Sequence, residues 1–66
     1  MSNSFYKETI AMTINVRGNV VAQAEAAGYH AYYADGVTAV EVGKVTEREA
    51  HGIARVMGWI VLHIFE

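Results

Sequence analysis

The side chains of this 66-residue sequence that could do chemistry are three histidines and seven acids. His30, His63 and Glu41 are the residue types that bind divalent transition metals. Histidines on strands are more often packing or edge residues, so we expect no metal site. No Ser/His/Asp triad or catalytic carboxylate pair can be argued, and the glycines lie singly rather than in a phosphate loop. We therefore predict a protein that is not an enzyme and uses no cofactor.

Composition sets the class of protein. A hydrophobic content of 53% predicts an ordered globule, and 66 residues predict a single domain, 1–66. The absence of cysteine excludes disulfides and thiolate metal sites. A net charge of −2 argues against direct nucleic-acid binding, which normally uses a basic patch. The start of the chain lacks a signal layout and no apolar run is long enough to span a membrane, so we expect a cytoplasmic protein.

The last third of the chain predicts a helix followed by a strand. Thr46 and Glu49 have the spacing of a capping box, in which each side chain satisfies a backbone amide of the other residue. Apolar residues then recur at helical spacing up to Gly58, which suits a left-handed helix end. The segment from Trp59 to Phe65 is bulky and β-rich without a break, so it predicts the last strand.

The first two thirds predict three strands and a second helix. Residues 8–16 alternate between apolar and polar side chains, as in a strand with one buried face. Asn19 is a suitable N-cap for an alanine-rich helix that ends at Gly28, and the rival interpretation of this segment is a returning strand. Asp35-Gly36 predicts a two-residue hairpin turn between strands at 29–34 and 37–42.

The predicted order is therefore β-α-β-β-α-β. This order is typical of the ferredoxin-like α+β fold, in which a small antiparallel sheet carries two helices on one face. If residues 19–27 are a strand instead, the alternative is an antiparallel sheet with one long helix.

Alternation along the strands predicts which side chains lie on the open face of the sheet. We expect Ile60, Leu62 and Ile64 to face the helices. The open face would then carry the aromatic residues Tyr32, Trp59 and Phe65, together with Val61, His30 and His63. Exposed aromatic rings on a sheet can stack on RNA bases, but basic residues are few. A contact with another protein or a second copy of the chain is the favoured interpretation of this face.

The predicted topology also gathers acidic side chains at one end of the domain. Five of the seven acids fall there: Glu8, Glu25, Glu47, Glu49 and Glu66. Lys7, Lys44 and Arg48 dilute the negative charge of this end. Acids are common at helix N-termini and on surfaces, which is the ordinary explanation. The alternative is an acidic end that imitates nucleic-acid phosphates and binds a basic groove of a protein.

Two segments carry a resemblance to a known group of proteins: TINVRGNVVAQAEAAGYHAYYADG at 13–36 and TEREAHGIARVMGWIVLHIF at 46–65. In these segments, and in its size and lack of cysteine, the chain resembles small phage anti-CRISPR proteins that inhibit type I-C CRISPR-Cas systems. The resemblance implies an inhibitor in the cytoplasm of a host bacterium. It would bind a Cascade subunit with a basic DNA-binding groove and block target-DNA engagement, acting as a partial DNA mimic.

Several alternatives stay open at the level of sequence. Inhibition by DNA mimicry and inhibition by allostery are both compatible with the resemblance, and the subunit bound is not specified. The competing function is a small non-enzymatic regulatory or dimeric interaction module that uses the aromatic sheet face. Either function is compatible with a monomer or a weak homodimer.

Overall fold

The computed structural model describes residues 10–66 of the chain. It contains, in order, β1 (Ile10–Arg17), α1 (Val21–Ala26), β2 (His30–Ala34), β3 (Val37–Val45), α2 (Glu47–Met57) and β4 (Val61–Phe65). The strands form one antiparallel sheet in the order β2-β3-β1-β4. The predicted β-α-β-β-α-β order and α+β fold are confirmed, and the one-helix alternative is wrong. Within residues 10–66, no helix is long and apolar enough to cross a membrane.

Both helices pack on the same face of the sheet. Ala24 of α1 and Ala50 and Ala54 of α2 are buried in one cluster with the inward side chains of β1 and β3. Those inward side chains are Met12, Ile14, Val16, Val40 and Val42. The small alanines let each helix backbone approach the sheet closely, so a short chain still closes a core.

The predicted ends of α2 are confirmed. Glu49 N donates to Thr46 Oγ1 over 3.1 Å, and Thr46 N donates to Glu49 Oε1 over 2.8 Å, which completes the capping box. At the other end Gly58 has a φ of 77°, which a residue with a Cβ rarely adopts. Trp59 N then donates to Ala54 O over 2.9 Å, so the chain turns directly into the core.

The alanine-rich segment is a helix, as predicted, but a short one. The N-cap position is Val20 rather than Asn19, although Asn19 Oδ1 accepts a 3.2 Å hydrogen bond from Val21 N. Val20 N instead donates to the buried Thr38 Oγ1 over 3.0 Å, and the Thr38 hydroxyl donates to Gly18 O. A buried hydroxyl of β3 therefore fixes the start of α1.

The hairpin at Asp35-Gly36 is confirmed, with φ values of 52° and 81° at the two turn residues. β3 is longer than predicted and runs to Val45. Val42 is an extra residue between two regular stretches of pairing, because Met12 pairs with Gly43 whereas Thr13 pairs with Glu41. Gly43 has a φ of 84°, and this left-handed residue lets the strand continue past the bulge.

A second bulge corrects the predicted faces of the last strand. Asn15 pairs with His63 and Val16 with Val61, so Leu62 is the extra residue. One inserted residue exchanges the two faces of a strand. The residues before the bulge therefore point to the faces opposite to those predicted. Trp59 and Val61 therefore pack towards the core, whereas Ile60 and Leu62 are exposed. The expectation for Ile64, His63 and Phe65 stands, since these residues follow the bulge.

Candidate functional site

The open face of the sheet presents two rows of side chains that cross all four strands. Strand pairing aligns His30 with Glu41, Glu41 with Thr13, and Thr13 with Phe65. The second row contains Tyr32, Ala39, Asn15 and His63. The two central strands thus contribute small or polar side chains, and the rings lie at the two edges of the sheet.

The aromatic side chains at these edges differ in their surroundings. Tyr32 on β2 is 60% exposed. Phe65 on β4 stacks on His63, with ring centroids 5.4 Å apart and an interplanar angle of 18°. Strands are spaced by about 4.8 Å, so the two edges of a four-stranded sheet lie about 14 Å apart. Tyr32 and Phe65 are therefore separate contact points on the face and do not form one aromatic cluster.

Trp59, which the sequence assigned to this face, belongs to the core. It is only 8% exposed, and its Nε1 donates a 2.9 Å hydrogen bond to Gln23 Oε1. This bond links the turn after α2 to α1, two elements that are 36 residues apart in the sequence. The role of Trp59 is structural, and the bulge at Leu62 is the physical reason that it points inwards.

The histidines lie too far apart to share a ligand. His30 is the cross-strand partner of Glu41 on β3, whereas His63 is on β4 at the opposite edge of the sheet. Among the residues described, no group of three His, Cys, Asp or Glu side chains is positioned to hold a metal ion. His51 lies on α2, where its Nε2 is 3.9 Å from Glu47 Oε2.

The topology brings the carboxylates at positions 25, 47, 49 and 66 towards one end of the domain. α1 ends and α2 begins at this end, since Ala27 and Glu49 line the same depression. β4 ends there too, because Phe65 pairs with Thr13 in the first half of β1. Glu8 lies outside the described residues. Lys44 and Arg48 share this end, so it carries charges of both signs.

The carboxylates of this acidic end (Glu25, Glu47, Glu49 and Glu66) are not equally available to a partner. Glu49 completes the capping box of α2, so its carboxylate already accepts a backbone hydrogen bond. Glu47 is largely exposed and lies near His51. Glu25 is exposed close to the end of α1. Glu25, Glu47 and Glu66 are therefore exposed negative charges that a partner could reach.

The sequence did not predict a groove beside α2. No Cα atoms of α1 and α2 lie within 8 Å of each other, and α1 is only six residues long. The groove has a volume of about 550 Å³ and is lined by Ala27, Tyr29, Val45, Glu49, Gly52, Ile53, Val56 and Met57. Val56 was the residue in the sequence that could have indicated this groove, because it is aliphatic and lies outside the buried stripe of α2. In the structure its side chain is 85% exposed.

The outer face of α2 carries basic side chains. Arg48, His51 and Arg55 surround Gly52, where a shallow depression of about 250 Å³ opens to solvent. The missing side chain at Gly52 creates this depression, and nothing lies within 4 Å of the position that a Cβ would take. The basic side chains of this helix face adjoin the acidic end, because Arg48 belongs to both regions and Glu47 lies beside His51.

No model of a protein family, no curated protein and no solved structure matches the sequence or its fold. What the arrangement can do chemically is to bind, through an exposed acidic end, an open sheet face and an apolar groove.

Proposed function

We propose that this chain is a non-enzymatic inhibitor of a type I CRISPR-Cas surveillance complex, acting in the cytoplasm of a bacterial host. The observation that carries the proposal is the gathering of Glu25, Glu47, Glu49 and Glu66 at one end of the domain. The resemblance of residues 13–36 and 46–65 to type I-C anti-CRISPR proteins suggests that the CRISPR-Cas system inhibited is type I-C. The partner would be a Cascade subunit with a basic DNA-binding groove.

The proposed mechanism is competition with target DNA. The exposed carboxylates of Glu25 and Glu47 enter the DNA-binding groove of the Cascade subunit. There they occupy positions that DNA phosphates would otherwise take. Opposite charges on two surfaces accelerate their encounter and align them. A net charge of −2 is modest, so the mimicry is partial and depends on where the acids lie rather than on total charge.

The test is phage growth in cells that carry an active type I-C system, with and without this chain. We expect restored growth of a targeted phage when the chain is expressed. The matched control is an isogenic strain without the CRISPR system, in which the chain should not change phage growth. No restoration, with the folded protein present in the cells, would contradict the type I-C assignment.

The second candidate function is an interaction module that uses the open sheet face. The observation that favours it is the exposure of Tyr32 and Phe65 on a face that neither helix covers. Exposed rings of this kind are enriched at protein interfaces. Tyr32→Ser is the diagnostic change, because it removes a ring that is 60% exposed and leaves the core intact.

A further inference from the structure

The exposed apolar side chains of the domain are concentrated at the edges of its sheet. Residues 10–66 contain seven large hydrophobic residues that are exposed, and five of them lie on the edge strands or next to them. Tyr32 and Tyr33 belong to β2, whereas Ile60, Leu62 and Phe65 belong to β4 and the residue before it. The tyrosines have hydroxyl groups that water can solvate, but the three side chains at β4 have no polar atom.

β4 also lacks the features that usually protect a sheet edge. Natural proteins place lysine, other charged residues or proline on edge strands to prevent pairing with another chain. The sequence of β4, VLHIF, contains none of these. The bulge at Leu62 distorts only its first part, because His63, Ile64 and Phe65 pair with β1 in regular register. Within the described residues 10–66, the second half of β4 is therefore an edge in regular register that has no charged side chain of its own.

Backbone geometry shows which peptide groups of β4 face this edge. Arg17 N donates to Ile60 O over 2.9 Å, so the peptide groups of Arg17 point towards β4. In an antiparallel sheet this direction alternates along a strand, so Thr13 and Asn15 also bond towards β4 and Ile14 does not. Ile64 is the partner of Ile14, and its N–H and C=O consequently point outwards, away from β1.

We propose that β4 pairs antiparallel with β4 of a second copy of this chain, around a two-fold axis at Ile64. In this register the two Ile64 residues exchange both of their outward backbone hydrogen bonds. His63 of each copy lies opposite Phe65 of the other, and Leu62 lies opposite Glu66. The two four-stranded sheets become one sheet of eight strands.

The register fits both faces of the strand. His63 and Phe65 share the open face, where they already stack within one chain. Pairing His63 with Phe65 of the other copy extends this stack across the axis to four rings. On the opposite face Ile64 meets Ile64. Glu66 of each copy lies next to Leu62, so the two Glu66 side chains are on opposite sides of the axis and do not face each other.

The second copy is the occupant that this edge fits best. Two-fold pairing requires a strand that is compatible with itself, and β4 places an apolar residue on its axis and no charge opposite a like charge. The pairing uses five residues a side, so it falls among small interfaces with micromolar or weaker affinity. The dimer does not depend on the proposed inhibitory function. It includes Glu66 of the acidic end, but Glu25 and Glu47 lie on the helices, outside the paired strand.

The experiment is sedimentation equilibrium of the full chain between about 10 µM and 1 mM, a range that spans weak association. Leu62→Glu puts a carboxylate opposite Glu66 of the other copy, at a position that is 46% exposed, and like charges directly opposite each other destabilise strand pairing. Tyr33→Glu is the matched control on the other edge strand, at 48% exposure. A chain synthesised with an N-methyl group on Ile64 removes only the outward donor. Far-ultraviolet circular dichroism verifies that each form is folded.

We expect the unmodified chain and Tyr33→Glu to associate to dimers with similar constants. Leu62→Glu and N-methyl-Ile64 should each lower the association constant at least tenfold while the fold is retained. A monomer at 1 mM would overturn the proposal. A dimer that is lost with Tyr33→Glu but kept with N-methyl-Ile64 would overturn it too, because β2 would then be the edge that pairs.

Discussion

The acidic end and the open sheet face differ in how closely their side chains are tied to the fold. At the acidic end, Glu49 caps α2 whereas Glu25 and Glu47 are exposed. Tyr32 on the sheet face is free of core contacts, but Trp59, which the sequence assigned to the same face, is buried. The residue that serves folding is thus still part of the acidic end, whereas on the sheet side it has left the face for the core. The difference shows which substitutions test function and which test stability.

The largest expected effect is that of Trp59→Ala. It empties a buried site and removes the hydrogen bond to Gln23, so we expect a loss of about 3 to 5 kcal/mol in the free energy of unfolding. Urea unfolding followed by circular dichroism measures this change. Phe65→Ala is the matched control, because Phe65 is 38% exposed and should lose only roughly 1 kcal/mol. Equal losses in the free energy of unfolding for the two variants would contradict the placement of Trp59 in the core.

An intermediate effect is expected at the start of α2. Thr46→Ala removes the side chain that accepts from Glu49 N, and such changes destabilise proteins by about 1 kcal/mol. Glu49→Gln should lose less, because a glutamine at this position can still accept from the backbone of the N-cap residue. Thermal unfolding of both variants measures the difference. A larger loss for Glu49→Gln than for Thr46→Ala would mean that the charge of Glu49, rather than its capping bond, stabilises the helix.

The smallest effects on stability are expected at Glu25, Glu47 and Tyr32. Each side chain is exposed, so Glu25→Lys, Glu47→Lys and Tyr32→Ser should each change the free energy of unfolding by about 0.5 kcal/mol or less. Glu47→Lys should show the larger decrease of the two charge reversals, because an acid in the first turn of a helix is favourable. Urea unfolding checks all three. A loss above about 2 kcal/mol in any of them would disqualify that variant as a probe of binding.

Local signals in the sequence predicted most of the fold. The capping box at Thr46, the Asp35-Gly36 turn and the glycine after each helix all involve residues within a few positions of one another, so their chemistry is readable from the chain. These signals divided the sequence into the correct order of strands and helices. They also showed which end of the domain receives the acidic residues.

The bulges and the groove could not be predicted in the same way. The bulge at Leu62 depends on how β4 aligns with a strand that is 45 or more positions earlier, and no glycine marks it. It exchanged the faces of Trp59, Val61, Ile60 and Leu62. The groove lies between the end of α1 and α2, and α1 is held by hydrogen bonds with Thr38 and Trp59, which are distant in sequence.

The most direct test of the central claim is target-DNA binding by a purified type I-C surveillance complex, titrated with this protein. Wild-type protein is predicted to block DNA binding, and the combined Glu25→Lys and Glu47→Lys variant to need at least about tenfold more protein, since rim charges set encounter and alignment. Tyr32→Ser is predicted to block as well as the wild type. Unimpaired DNA binding with wild-type protein, or inhibition that survives charge reversal but is lost with Tyr32→Ser, would contradict the account.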